Sequence, residues 1–145
     1  MLHEPRIIEV DEIKFVGMDL NHNVHDSAAG GDPGSALWAQ FAPLSEKVRH
    51  SLGCYIGVCG PVLEGGLSNY TAAVQVSQIS DVPANMVSGV LPAGRYAQFF
   101  HLGPISKIWQ TVDFIHNQWM PKAGYKDHDC RQIEIYAAEG RAPRL

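Results

Sequence analysis

The sequence predicts an α+β fold in which two strand-helix-strand-strand units form an antiparallel sheet with both helices on one face. Segments dense in β-branched and aromatic residues alternate with two segments whose apolar residues recur at steps of three and four. The two helical segments also align with each other, Trp38 with Trp109 and Phe41 with Val112. We therefore interpret the 145 residues as one domain with a diverged internal repeat, about 1–81 and 82–145.

The first predicted elements are a strand and a helix separated by a polar segment. Residues 7–18 are rich in Ile, Val, Phe and Met and predict an opening strand that ends near Asp19. Residues 20–34 are polar and contain several glycines, which predicts a loop. Ser35 is a candidate N-cap for a helix that continues to about residue 50. Because Pro43 lies inside it, we expect a kink near Ala42 or two short helical pieces.

The second half repeats this pattern. Pro92–Gly94 interrupts a long apolar segment and predicts a bulge or an edge, whereas Pro104 suits the first turn of a helix that Pro121 and Gly124 would end. Residues 140–145 are too polar to predict a closing strand. The remaining strands are predicted at residues 54–62, 70–79, 86–102 and 131–138.

Composition and charge narrow the class of protein. The formal net charge of −4, without a run of basic residues, argues against direct contact with nucleic acid. No segment approaches the roughly 20 apolar residues that span a bilayer, and the N-terminus lacks the apolar core of a secretory signal. The three cysteines lack metal-binding or disulfide spacing. We therefore expect a cytoplasmic protein that does not contact the membrane.

Glu134 is the candidate functional residue that the strand pattern singles out. It alternates with Ile133 and Ile135 and shares a sheet face with Tyr136. If that face is buried, an ionised carboxylate there is costly without a partner, and a cationic ligand would compensate. The pattern also allows a solvent-facing acid, or one paired internally with Arg95 or Arg131.

Aromatic residues supply candidate walls for such a site. Their ring faces attract cations by roughly 0.5–2 kcal/mol each. Packing in the core is the alternative for each of them, and we expect it for Trp119. The candidate ligand-binding aromatics are Trp38, Tyr55, Tyr70, Tyr96, Phe99, Trp109 and Tyr136.

Other chemistry is not indicated by the sequence. His22 and His25, with Asp19 and Asp26, resemble metal ligands, but they lie in the polar segment and this spacing is common. The serines and cysteines show no nucleophile motif. We therefore predict no metal, no cofactor and no catalytic residue.

The order of motifs resembles the GyrI-like small-molecule-binding domain, the effector-binding module of AraC-type and MerR-type multidrug regulators and of stand-alone relatives. The resemblance covers nearly the whole chain. It implies an acid at the floor of an aromatic pocket between the two halves, and the position of that acid matches Glu134. The family usually closes with one more strand. The motifs are Pro92/Gly94/Tyr96, Gly103/Pro104, Trp119/Met120/Pro121, Ala123/Gly124 and Glu134/Tyr136.

The resemblance implies binding of cationic, amphipathic and partly aromatic small molecules, by a drug sensor or a sequestering protein. Transcriptional control would then need a partner DNA-binding protein, and exposed sheet edges also suggest a homodimer. Two alternatives follow from other members of the similar family. One is hydrolysis of strained electrophiles with Glu134 as general base and Tyr136 or Tyr55 as positioning donor. The other is a protein-interaction role like that of a gyrase inhibitor.

Overall fold

The computed structural model describes residues 5–23, 33–60, 63–101, 108–124, 132–136 and 143–144. The described strands are β1 Arg6–Val10, β2 Ile13–Asn23, β3 Ser51–Cys59, β4 Leu67–Val76, β5 Val87–Leu91, β6 Gly94–Gln98, β7 Gln132–Tyr136 and β8 Pro143–Arg144. The described helical segments are α1 Pro33–Phe41, a 3₁₀ helix at Ala42–Lys47, a 3₁₀ turn at Glu64–Gly66, α2 Ile108–Phe114, a π-helical stretch at Ile115–Trp119 and α3 Met120–Ala123.

The described strands form two antiparallel sheets. The larger sheet has six strands in the order β5-β2-β4-β3-β7-β8, and the smaller pairs β1 with β6. Strand β3 therefore lies between β4 and β7, and it joins the first half of the chain to the second. The α+β class with antiparallel sheets and two helical segments is confirmed, whereas the internal duplication stays a prediction.

The opening strand differs from the prediction in two ways. It is divided after Val10, so that β1 pairs with β6 while β2 pairs with β4 and β5. Strand β2 also continues to Asn23 instead of ending near Asp19. Pairing with β4 extends over this polar end, where the Asn69 side chain donates a hydrogen bond to the side-chain oxygen of Asn21. The backbone of the partner strand thus overrides the weak β-propensity of these residues.

The helices break where prolines predict, with one exception. Helix α1 ends at Phe41, and the 3₁₀ helix that follows has Pro43 in its first turn, which confirms the two short helical pieces. Pro121 does not end the second helical segment, because it occupies the first turn of α3, where a missing backbone N–H is tolerated. Gly124 ends it in the left-handed conformation, with φ of 81°.

The end of the chain settles a point that the sequence left open. Residues 140–145 did not predict a closing strand, and β8 pairs with β7, Arg144 opposite Ile135 and Pro143 opposite Tyr136. Backbone pairing along an open strand edge does not require apolar side chains. The sheet therefore continues one short strand beyond β7.

The helices and the candidate site share one face of the larger sheet. Helix α1 packs on β2 and β4, where Leu37 and Phe41 join the buried cluster that contains Val16 and Val74. On β7, Gln132 points to the same face as Glu134, and its side-chain oxygen lies 3.2 Å from His116 Nε2 in the second helical segment. Both helical segments therefore contact this face, as predicted.

Several predictions concern parts of the chain outside the described residues. They include the loop residues between 24 and 32, the helix start at Pro104, and the side chains of Ser35 and Trp109. His25, Asp26, Cys130 and Arg131 are also outside them.

Candidate functional site

Glu134 points to the interior of the domain. The alternation along β7 places it on the helix face, with 8% of its surface exposed, whereas the neighbouring Ile135 is 39% exposed on the opposite face. Of the two orientations that the sequence allowed, the structure has the buried one. A buried carboxylate requires compensation by hydrogen bonds or charge.

Two tyrosine hydroxyls donate hydrogen bonds to the same carboxylate oxygen. The Tyr70 hydroxyl lies 2.9 Å from Glu134 Oε1, and the Tyr136 hydroxyl lies 3.0 Å from it. The two hydroxyl oxygens are 3.4 Å apart. Hydrogen bonds to a carboxylate favour its charged form, and both hydroxyls donate to Glu134.

Trp38 connects helix α1 to this cluster. Its indole Nε1 donates a hydrogen bond of 2.8 Å to the Tyr70 hydroxyl oxygen, and its ring packs edge-on against Tyr136 with the centroids 5.1 Å apart. Leu37 and Phe41 are buried in the core beneath α1, which holds Trp38 over the sheet as a half-buried side chain. A chain of hydrogen bonds thus links the helix to the acid through Tyr70.

Tyr55 lies beside Tyr136 on the same face of the sheet. It lies opposite Tyr136 in the β3–β7 register, and its ring centroid is 6.1 Å from that of Trp38. Its hydroxyl donates to Ser45 Oγ at 3.0 Å, while Ser45 Oγ donates to the Ala42 carbonyl. The 3₁₀ helix that follows α1 therefore orients this tyrosine. Sequence reasoning missed this role of Ser45, because the contact is not local.

Burial and the charge of Glu134 both raise the pKa of the neighbouring tyrosine hydroxyls and of one cysteine thiol. Burial, and then the negative charge of Glu134, raise the pKa of Tyr70 and of Tyr136 well above the ordinary value. The same two causes raise the pKa of the thiol of Cys59, a residue of β3 that lies opposite Tyr70 of β4. Both tyrosines therefore remain protonated donors at neutral pH, and Cys59 remains an uncharged thiol.

Alkaline pH is expected to destabilise the domain through these tyrosines. Their pKa is raised in the folded state, so their contribution is fully present below the unfolded value of about 10 and is lost as the pH rises further. The free energy of unfolding should fall by up to about 1.4 kcal/mol per pH unit for each tyrosine above that value. Urea unfolding at several alkaline pH values measures this slope. A slope in Tyr70→Phe as steep as in the wild type would contradict it.

The other candidate residues have contacts of a different kind or lie outside the described residues. Phe99 is buried in an edge-on pair with Trp119, with the ring centroids 5.1 Å apart, consistent with the packing role expected for Trp119. Tyr96 lies in the two-stranded sheet, where its exposed hydroxyl donates to the Pro92 carbonyl. Arg95 lies opposite Glu9 in the same small sheet. The structure thus brings together Glu134, Trp38, Tyr55, Tyr70 and Tyr136.

Neither a metal cluster nor a membrane helix is found in the described part of the chain. No group of three His, Cys, Asp or Glu side chains there could hold a metal ion. His22 belongs to strand β2 and not to a loop. None of the helices in those same residues is long and apolar enough to cross a bilayer.

The fold brings an acid, two tyrosines and a tryptophan together, and the sequence of this chain also matches a known family. The model of the GyrI-like small molecule binding domain matches residues 3–144. The chain belongs to this family, which confirms the resemblance seen in its motifs.

The relatives include a regulator and solved structures of similar fold. The transcriptional regulator BrlR of Pseudomonas aeruginosa is 27% identical over 140 residues, which cover 95% of this chain and 50% of the regulator. The chain thus spans about half the length of this curated relative. The structure of SAV2435 bound to tetraphenylphosphonium superposes with a TM-score of 0.69 at 17% identity, covering 92% of this chain and 83% of that one. An integron cassette protein of Vibrio cholerae superposes with a TM-score of 0.67 at 16% identity. The superposition covers 94% of this chain and 91% of that protein.

Proposed function

We propose that this domain binds cationic, amphipathic and partly aromatic small molecules against Glu134, as a drug sensor or a sequestering module. The observation that carries the proposal is the buried Glu134 carboxylate, bracketed by the hydroxyls of Tyr70 and Tyr136 on the face that Trp38 and Tyr55 line. Negative charge at the floor and aromatic rings at the walls are complementary to a delocalised cation.

Charge and shape would act on different parts of such a ligand. A cation near Glu134 gains from Coulomb attraction in a poorly hydrated site, whereas its aromatic groups gain from contact with the rings of Trp38 and Tyr55. Tetraphenylphosphonium, the ligand of SAV2435, combines a positive centre with four phenyl groups and has this chemistry. The fold similarity and the family membership support its use as a probe for this chain.

The biological setting of the proposed site is regulation. BrlR is a transcriptional regulator, and the matched region is about half of it. By analogy, ligand occupancy of this domain would act on transcription through a DNA-binding region or a partner protein that carries one. Sequestration of the ligand requires no such partner.

The charge selectivity of the wild-type protein tests the proposal. Quenching of tryptophan fluorescence would be titrated with tetraphenylphosphonium and with the neutral triphenylphosphine oxide. We expect the cation to bind at least about tenfold more tightly, since a close charge pair in a poorly hydrated site contributes roughly 1.5 kcal/mol or more. Equal affinity for the two probes would overturn the proposal.

Hydrolysis of strained electrophiles is the second candidate, since the tyrosine hydroxyls beside Glu134 could place a water molecule or a leaving group. In that reaction Glu134 would act as general base. Product formation from a reactive cyclopropane substrate, lost in Glu134→Gln, would select the enzyme. Saturable binding without product would select the binding module.

A further inference from the structure

Two key groups of the site come from strands that are not neighbours. Tyr70 lies on β4 and Glu134 on β7, and β3 runs between these strands. Adjacent strands are about 4.8 Å apart, so β4 and β7 are separated by roughly 10 Å. Even so, the Tyr70 hydroxyl and Glu134 Oε1 are 2.9 Å apart. The two side chains therefore meet above the intervening strand.

The residue beneath this meeting point is Gly57. It lies directly opposite Glu134 in the β3–β7 register and opposite Ala72 in the β3–β4 register. A Cβ atom added at Gly57 would lie 2.6 Å from Glu134 Oε1 and 3.1 Å from Tyr70 Cζ, and it would also overlap the Tyr70 hydroxyl oxygen. No side chain at position 57 is compatible with the hydrogen bond as it stands.

The backbone does not require glycine at this position. Glycines with positive φ occur at residues 53, 65, 66 and 124 of the described chain, and Gly57 is not one of them. Glycine inside a strand weakens it by roughly 0.5–1 kcal/mol relative to alanine. A strand glycine often marks the close approach of another group. Here the approaching groups are the tyrosine and the acid.

We propose that Gly57 is a positioning residue that sets the selectivity of the site for cations, by leaving the space in which Tyr70 and Glu134 meet. The proposal rests on the proposed function of this site. At Gly57 the strand β3 leaves a gap between the side chains of β4 and β7, because this residue has no side chain of its own. A methyl group there would push the carboxylate and the hydroxyl apart, and the charge would no longer be held at one place.

The first test is Gly57→Ala, with Gly94→Ala as the control. Gly94 is also a strand glycine, but nothing lies within 4 Å of its would-be Cβ. In Gly57→Ala the ratio of affinities for tetraphenylphosphonium and triphenylphosphine oxide should fall about tenfold, which corresponds to about 1.4 kcal/mol of lost attraction between the displaced carboxylate and the cation. In Gly94→Ala it should not change. A wild-type ratio in Gly57→Ala would overturn the proposal while leaving the proposed function intact.

A second variant pair tests the contact itself. In the Tyr70→Phe background the hydroxyl that overlaps the added methyl is gone, so Gly57→Ala should reduce thermal stability less than it does in the wild type. Equal losses in the two backgrounds would show that the methyl group does not meet Tyr70. This comparison needs no ligand, so it tests the clash at Gly57 separately from the proposed function. If Gly57→Ala alone does not fold while the double variant does, the clash is established directly.

Discussion

Replacing Glu134 with glutamine is expected to weaken the binding of tetraphenylphosphonium by about 30- to 700-fold, which corresponds to the loss of roughly 2–4 kcal/mol. Glutamine keeps the shape of the side chain and an oxygen that can accept from the hydroxyls of Tyr70 and Tyr136. It removes the charge and replaces the second carboxylate oxygen with an NH2 group. Because the carboxylate is buried, with 8% of its surface exposed, solvent screens its attraction for a bound cation only weakly.

The neutral probe and a second acid serve as controls for this result. Triphenylphosphine oxide should bind Glu134→Gln within about threefold of its wild-type affinity, since it gains little from the charge. Glu9→Gln changes the net charge equally, but Glu9 is an exposed side chain in the small sheet, so it should leave both affinities unchanged. If Glu134→Gln bound the cation as tightly as the wild type does, Glu134 would not be part of the binding site.

Replacing Tyr70 with phenylalanine is expected to lower the free energy of unfolding by about 1–3 kcal/mol. The Tyr70 hydroxyl accepts from Trp38 Nε1 and donates to Glu134, so its removal takes a partner from each of two groups. The loss of one partner from a buried polar group costs more than the bond itself contributes. Urea unfolding followed by circular dichroism measures the change. Tryptophan emission should also shift, because the Trp38 indole loses its acceptor.

The control for this variant is another tyrosine with one hydrogen bond. The Tyr96 hydroxyl donates to the Pro92 carbonyl at an exposed position. Tyr96→Phe should therefore change the free energy of unfolding by less than about 0.5 kcal/mol, as surface substitutions usually do. If the two variants were equally stable, the network around Glu134 would contribute nothing to the fold.

Features that depend on local periodicity could be predicted from the sequence. The alternation along β7 places Glu134 and Tyr136 on one face and Ile133 and Ile135 on the other, although it leaves open which face is buried. The break at Pro43 follows from the missing backbone N–H of proline. The position of Trp38 on the side of α1 that faces the sheet follows from the helical spacing that also places Phe41 in the core.

Features that depend on which strands become neighbours could not be predicted in this way. The importance of Gly57 appears only when β3 is known to lie between β4 and β7, a pairing that no local pattern encodes. The division of the opening strand between two sheets has the same origin, since β1 and β2 differ in their partners more than in their composition. The contact of Ser45 with Tyr55 likewise depends on where the 3₁₀ helix lies over the sheet.

The position of the acid on β7 has a consequence for the kinetics of folding. Glu134 and Tyr70 are 64 residues apart in the chain, and β7 pairs with β3 of the first half. Closing a loop of that length costs entropy before any contact compensates for it. The carboxylate therefore meets Tyr70 only when β7 docks beside β3, and a nascent chain whose synthesis has not yet reached β7 lacks the acid altogether. Binding of a cation at the proposed site would then report that β7 has joined the sheet.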